Sequence, residues 1–198
     1  MGWLYPYHTK TRADLVRDLR AEYNTPTHKI LRSQCVGNHF WALCESTRSD
    51  GQVIRYILLC LLQGPERNDP DGSWGYKEMD ESVGPYYYDC PLSYLDLATE
   101  PLNETAAVWR AKVRMYWEQR KQLPKPCAGM IVTVGGTEYR LIRRLHRRGW
   151  TAALAAGGKF DAYRIKLTTL RASMLRGEYR MPEPVPPMSD AELETALG

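Results

Sequence analysis

The sequence predicts an α+β protein with an N-terminal antiparallel three-stranded sheet plus helices, and a C-terminal small SH3-like β-barrel. Two segments with helical periodicity, at 12–23 and 104–121, flank a set of strand-like apolar runs between 29 and 62. After residue 128 the pattern changes to short strands joined by glycine pairs. At 198 residues, 43% of them apolar, the chain can bury a core and is not mainly disordered.

The first helix is predicted from its start signal and its apolar stripe. Thr11 and Asp14 read as a capping box, and Leu15 and Leu19 fall on one face of the following turns. Pro26 marks the end, because the residue before a proline leaves the helical region.

Three strands follow, at residues 29–36, 39–45 and 53–62. Gly37 and Asn38 have the chemistry of a two-residue hairpin turn. The third run is apolar almost throughout, as in a strand buried on both faces. We therefore expect a meander with the first helix packed on one face.

Residues 63–91 differ from the rest of the first part. They contain four prolines, four glycines, seven acidic residues and only two basic ones. A loop of this length is uncommon and is usually functional or disordered, and its aromatic content argues against disorder. The aromatic side chains either clamp the loop onto the sheet or form a protein-binding surface: Trp74, Tyr76, Tyr86, Tyr87 and Tyr88.

The same loop offers the best candidate for chemistry. Cys90 precedes a short predicted helix at 91–98, where partial positive charge can lower a thiol pKa. His28 or His39 would have to supply the base. The nearby carboxylates of Glu78, Asp80 and Glu81 lack the spacing of a calcium loop but could contact a hard cation.

A second long helix, predicted at 104–121 after the capping residue Asn103, ends before Pro124 and Pro126. These prolines divide the chain into an α+β domain at 1–124 and a small barrel at 127–180. Residues 181–198 are predicted to be a proline-rich linker followed by a short helix.

Charge is unevenly distributed along the chain. Residues 127–180 carry a net charge of +8, residues 181–198 carry −4, and residues 1–126 are balanced. An anionic partner is therefore expected to contact the C-terminal third. The predicted nucleic-acid-binding residues are Arg140, Arg143, Arg144, Arg147, Arg148 and Lys159.

The strand around these arginines is expected to alternate. Arg140, Ile142 and Arg144 would face one way, and Tyr139 and Arg143 the other. Guanidinium groups near aromatic rings suit phosphate contact and base stacking. A solvated basic face without a ligand is the equally available interpretation.

The sequence lacks the signature motifs of several enzyme classes. The sequence has no P-loop, dinucleotide fingerprint, nucleophile elbow or zinc-protease motif, and its cysteines and histidines form no metal-ligand pattern. We therefore expect no metal and no cofactor. The five cysteines, without C-x-x-C spacing, are typical of free thiols in the cytoplasm. Neither a signal peptide nor a membrane span is predicted.

The segment W-G-Y-K-E-M-D-E-S-V-G-P-Y-Y-Y-D-C-P, residues 74–91, resembles a family of unknown function carried by bacterial plasmids and phages. Weaker similarity extends to Met1-Gly2-Trp3, to Trp109-Arg110 and to Tyr163-Arg164-Ile165. The resemblance implies a mobile genetic element in a bacterial cytoplasm. It implies no activity and no catalytic residue.

Three functional hypotheses follow. The first is a non-enzymatic accessory protein that binds a nucleic acid or nucleoprotein complex and acts in counter-defence, as an anti-CRISPR or anti-restriction inhibitor. The alternative is a small enzyme with its site in loop 73–91, using Cys90 and nearby carboxylates. The third is a module that self-associates through the loop aromatics.

Overall fold

The computed structural model describes residues 2–6, 9, 11–65, 72–146, 149–157 and 163–182. Its contacts divide the chain into two compact units, residues 1–118 and 119–198. Each unit contains one antiparallel sheet with associated helices, which confirms the α+β class. None of the described helices is long and apolar enough to cross a membrane.

The elements that begin in the first unit include the predicted helices and strands, confirmed to within a few residues, and two unpredicted ones, a fourth strand and a 3-10 turn. They are α1 (Arg12–Glu22), β1 (His28–Val36), β2 (His39–Thr47), β3 (Val53–Gln63), β4 (Gly75–Asp80), a 3-10 turn (Glu81–Val83), α2 (Leu92–Leu95) and α3 (Glu104–Gln122). Thr11 caps α1 by accepting a hydrogen bond from Asp14 N, and Asn103 Oδ1 accepts one from Ala106 N near the start of α3.

The prediction of a three-stranded N-terminal sheet is wrong, because this sheet has four strands in the order β1-β2-β3-β4. The additional strand, β4, comes from the segment predicted to be a loop, and it pairs with β3 from Leu58 to Gln63. An unpaired edge on the buried strand β3 would leave backbone groups without partners, and β4 satisfies them. Leu4 then bridges Tyr76 on the outer side of β4.

Both faces of the first sheet are covered. One face packs against α1 through Leu15 and Leu19, as predicted. The opposite face packs against α2 and α3 through a second apolar cluster: Trp41, Leu43, Ile57, Leu59, Cys90, Tyr94, Leu95, Trp109 and Val113. The run of alternately facing apolar residues in β2 and β3 reflects this burial on two sides.

The second unit does not contain the predicted closed SH3-like barrel in its described residues. Its strands are β5 (Ile131–Val134), β6 (Thr137–Leu145), β7 (Gly149–Leu154), β8 (Tyr163–Lys166) and β9 (Tyr179–Arg180), in the order β8-β7-β6-β5-β9. No described ladder joins the two edge strands, β8 and β9. Instead α4 (Leu167–Leu175) covers the apolar face, with Leu170 and Met174 in the core.

The predicted proline-rich linker and short helix at 181–198 fall almost entirely on residues 183–198, which lie outside the described residues.

Candidate nucleic-acid interface and aromatic loop

The sheet face opposite α4, called here the basic face, carries four arginines from the three strands β6, β8 and β9. The register places Arg143 and Arg164 on either side of Thr151, and Arg140 and Arg180 on either side of Ile131. Side chains in register share a face of a sheet. The four arginines Arg140, Arg143, Arg164 and Arg180 are all exposed.

A β-bulge in β6 produces this arrangement. Leu141 pairs with Ala152 and Arg143 pairs with Thr151, so that Ile142 is the extra residue. The Thr151 hydroxyl accepts a hydrogen bond from Arg143 N at 3.2 Å and donates one to Arg143 O at 3.1 Å. These bonds fix the backbone from which the Arg143 side chain projects.

The bulge also corrects the predicted alternation of β6. Arg143 lies on the same face as Arg140, whereas the prediction separated them. Arg144 is in register with the buried Trp150 and so belongs to the opposite face, although its side chain is exposed. The alternation failed because one inserted residue reverses the facing of every residue after it.

The charge of the basic face is largely unbalanced. Arg180 Nη2 contacts both carboxylate oxygens of Glu138, at 2.8 and 2.9 Å. Arg140, Arg143 and Arg164 form no ion pair with a carboxylate of the described residues. As far as the described residues extend, these three exposed guanidinium groups have no carboxylate partner, and such groups suit contact with an anion.

Two grooves adjoin these arginines. Arg140 and Arg180 line one of about 480 Å³, with Ile131, Met181 and Pro182 among its apolar walls. The other, of about 340 Å³, is lined by the residues Val134, Tyr139, Tyr163, Arg164, Ile165, Lys166 and Thr169. The rings of Tyr139 and Tyr163 pack edge to face in this second groove, with their centroids 5.2 Å apart. The second groove thus combines aromatic rings with two cationic side chains.

Three of the predicted nucleic-acid-binding residues, Arg147, Arg148 and Lys159, lie outside the described residues. Conversely, sequence analysis missed Arg164 and Arg180 as members of the basic face. Arg164 carried a usable signal, since it alternates with the apolar Ile165 in a short strand. Arg180 did not, because β9 is only two residues long.

The predicted protein-binding aromatics divide into buried and exposed members. Tyr76 is buried, its hydroxyl donates to Glu22 Oε2 at 2.9 Å, and Trp74 packs against the same cluster as α1. Tyr88 packs against the cluster beneath α3. Tyr86 is 90% exposed and Tyr87 37%, so these two offer the accessible aromatic surface of the loop.

Three carboxylates in the described part of the loop have structural partners. Glu81 is fully buried and contacts Arg110, while Asp80 caps the 3-10 turn by accepting from Ser82 N at 2.8 Å. Asp89 contacts His39 Nδ1 at 2.9 Å. Within the described residues no group of three or more His, Cys, Asp or Glu side chains is arranged to hold a metal ion.

Cys90 lies in the core beneath α3 and is fully buried. Burial raises the pKa of its thiol, and the negative charges of Asp89 and Glu81 raise it further, against a smaller opposite effect of Arg110. Its Sγ is 3.7 Å from Pro91 O. A nucleophilic thiol needs the reverse conditions, namely access and a lowered pKa.

Comparisons with known proteins add no functional information. The sequence matches no protein-family model and no curated protein, and the fold matches no solved structure.

Proposed function

We propose that this chain is a non-enzymatic accessory protein that binds a nucleic acid or nucleoprotein complex through the basic face of its second unit. The observation that carries the proposal is the set of exposed arginines without described carboxylate partners, Arg140, Arg143 and Arg164, on one face of one sheet. Phosphate contacts by such groups supply most of the affinity of non-specific nucleic-acid binding.

The biological setting in the proposal comes from the loop resemblance. A plasmid or phage protein acting in the bacterial cytoplasm that occupies a nucleoprotein complex would serve as a counter-defence inhibitor, of a CRISPR or a restriction complex. The non-enzymatic part is supported by the burial of Cys90 and by the structural partners of Glu81 and Asp80. No observation favours the alternative of a cysteine-based enzyme.

The test compares two triple variants. Arg140→Ala/Arg143→Ala/Arg164→Ala removes three charges from the basic face. The matched control removes three exposed arginines of the first unit: Arg17→Ala/Arg48→Ala/Arg114→Ala. Both variants have the same net charge, so that a general loss of positive charge affects both equally. In the control, Arg17 and Arg114 each form an exposed ion pair, with Asp14 and Asp96.

Binding is measured by fluorescence anisotropy with a labelled strand of about 20 nucleotides, single or duplex, at several salt concentrations. We expect wild type and control to bind with a steep salt dependence. For the basic-face variant we expect the slope of log K against log salt to fall by about two to three, with much weaker binding. Equal binding by both variants would contradict the proposal.

A pull-down from a bacterial lysate with and without nuclease distinguishes the two kinds of partner. Nuclease-sensitive recovery of nucleic acid alone indicates direct binding. Recovery of a defined defence complex that the basic-face variant loses supports the nucleoprotein form of the proposal.

A further inference from the structure

A separate surface in the first unit is built around His39 and Asp89. The imidazole Nδ1 lies 2.9 Å from each carboxylate oxygen, and both side chains are about one-fifth exposed, 22% and 20%. A carboxylate can only accept, so Nδ1 carries the proton of this hydrogen bond. Each oxygen keeps a further lone pair for a donor that approaches from solvent.

Asp89 borders a groove of about 270 Å³, called here the Asp89 groove. Its lining residues are Gln34, Val36, Asp89, Pro91, Leu92 and Trp117. Four of these residues have apolar side chains, and the other two, Gln34 and Asp89, each have an oxygen that can accept a hydrogen bond. The lining contains no basic residue. The groove therefore combines an apolar channel with a negatively charged rim.

The groove is preformed, because α3 holds the loop at two points. Trp117 Nε1 donates to Cys90 O at 2.7 Å, and Trp109 Nε1 donates to Tyr87 O at 3.1 Å. The Tyr87 ring also packs on the His39 ring, with centroids 4.4 Å apart. These contacts fix the backbone on both sides of Asp89, so that a ligand need not order the loop when it binds.

We propose that the Asp89 groove binds an arginine or lysine side chain of a partner protein. Such side chains have an aliphatic stem that packs on apolar walls and a cationic head that pairs with a carboxylate. Val36 and Leu92 supply the walls, and the Trp117 indole supplies an aromatic one against which a guanidinium can stack. An anionic or a neutral polar side chain would bring no positive charge to the Asp89 carboxylate.

A protein is the expected source of the cation because of the surface next to the groove. Tyr86 is three residues from Asp89 and is 90% exposed on the same anchored loop. Tyrosine is enriched among the residues that dominate protein–protein binding energy. This proposal concerns the first unit and does not depend on nucleic-acid binding by the second.

The test uses small probes and the full chain, followed by the Trp117 indole N–H signal in a ¹H–¹⁵N NMR spectrum. The probes are the N-acetyl methylamides of arginine, lysine and citrulline. Citrulline has nearly the shape of arginine but no charge. We expect saturable shifts with arginine and lysine, with Kd of about 1–10 mM, and binding of citrulline weaker by about tenfold.

Two variants and one control locate the site. Asp89→Asn should reduce the preference for arginine over citrulline to near unity. The control Asp96→Asn makes the same charge change at an exposed residue outside the groove and should keep that preference. Because Asp89→Asn also alters the bond to His39, Gln34→Lys provides a second variant: it places a competing cation on an exposed strand position and should weaken arginine binding.

A short peptide tests whether a protein chain can supply the cation that binds in the groove. Arginine placed between neutral residues in a short blocked peptide should bind at least as well as the arginine amide. The proposal is overturned if citrulline binds as well as arginine, if Asp89→Asn binds like wild type, if the Trp117 signal does not respond, or if the peptide is excluded while the amide binds.

Discussion

Arg110 and Glu81 form a two-point ion pair inside the first unit. Arg110 Nε donates to Glu81 Oε2 at 2.5 Å and Nη2 donates to Oε1 at 2.6 Å, while Nη1 donates to Thr99 O at 2.6 Å. The carboxylate is fully buried and the arginine is 7% exposed. The pair thus joins α3 to the turn after β4 and to the segment that precedes α3.

Breaking this pair on one side should be costly. Arg110→Met leaves the Glu81 carboxylate buried without its partner, and we expect a loss of about 3–5 kcal/mol in the free energy of unfolding, measured by urea denaturation. Glu81→Leu/Arg110→Met removes both charges and should recover most of the loss. Arg114→Met, which removes the exposed pair with Asp96, should cost no more than about 1 kcal/mol.

Gly149 should tolerate no side chain. Its φ is +134°, and a Cβ there would lie 2.1 Å from Ile165 O in the neighbouring strand β8. We expect Gly149→Ala to destabilise the second unit by about 3 kcal/mol or more. Gly157→Ala is the control: it also has a positive φ but meets nothing within 4 Å, so that only about 1–2 kcal/mol is expected. Thermal unfolding of both variants measures the difference.

Cys90 should behave as a core residue. Because the thiol is fully buried with a raised pKa, iodoacetamide should modify the partly exposed Cys35 and Cys127 in the native protein and reach Cys90 only after unfolding. Cys90→Ser buries a hydroxyl in the apolar cluster and should lower the free energy of unfolding by about 1–3 kcal/mol. Rapid alkylation of native Cys90, with unchanged stability of the serine variant, would revive the enzyme alternative.

Acidification should weaken the fold through His28. Burial lowers the pKa of His28 from its ordinary value of 6.5, against a smaller opposing effect of Glu78, and Nε2 lies 3.0 Å from the Tyr56 hydroxyl. As the pH is lowered through 6.5, the unfolded chain therefore takes up the proton before the folded protein does. The free energy of unfolding decreases as the pH is lowered further, until the pKa of His28 in the folded protein is passed. His28→Gln should show a smaller loss between pH 7 and pH 5 than wild type. A pH profile of His28→Gln identical to that of wild type would refute the assignment to His28.

Removal of residues 183–198 should strengthen binding of nucleic acid. This segment contains four acidic residues and no basic one, and it follows directly on the groove residue Pro182. A chain that ends at Pro182 loses four acidic side chains and gains net positive charge, so its affinity for a labelled strand should rise, most at low salt. Neutralising Glu183, Asp190, Glu192 and Glu194 by amide substitution should reproduce the effect if charge is the cause.

The local elements could be predicted because their signals are local. Thr11 and Asn103 mark helix starts by their capping side chains, and Gly37 with Asn38 marks a hairpin. The missing strand β4 could not be predicted in the same way, since Gly75–Asp80 becomes a strand only through pairing with β3. Its sequence lacks a clear alternation, and the partner edge supplies the hydrogen bonds.

The candidate sites were only partly predictable for a similar reason. A net charge of +8 over residues 127–180 pointed to the second unit, but the membership of the basic face depends on the bulge at Ile142. Arg110 lies in α3, and its partner Glu81 is 29 positions away in the sequence. Long-range pairs of this kind leave no periodic pattern in the sequence.

By itself the sequence determined the class of the fold, the extents of α1, α3 and the first three strands, and the concentration of positive charge in the C-terminal third. Those properties depend on composition, periodicity and capping, which act over a few residues. The tertiary structure alone decided that β4 completes the first sheet, that α4 covers the second sheet in place of barrel closure, and that Arg143 lies beside Arg140. Each of these outcomes is set by hydrogen bonding and packing between segments far apart in the chain, where backbone groups and apolar surface must find partners.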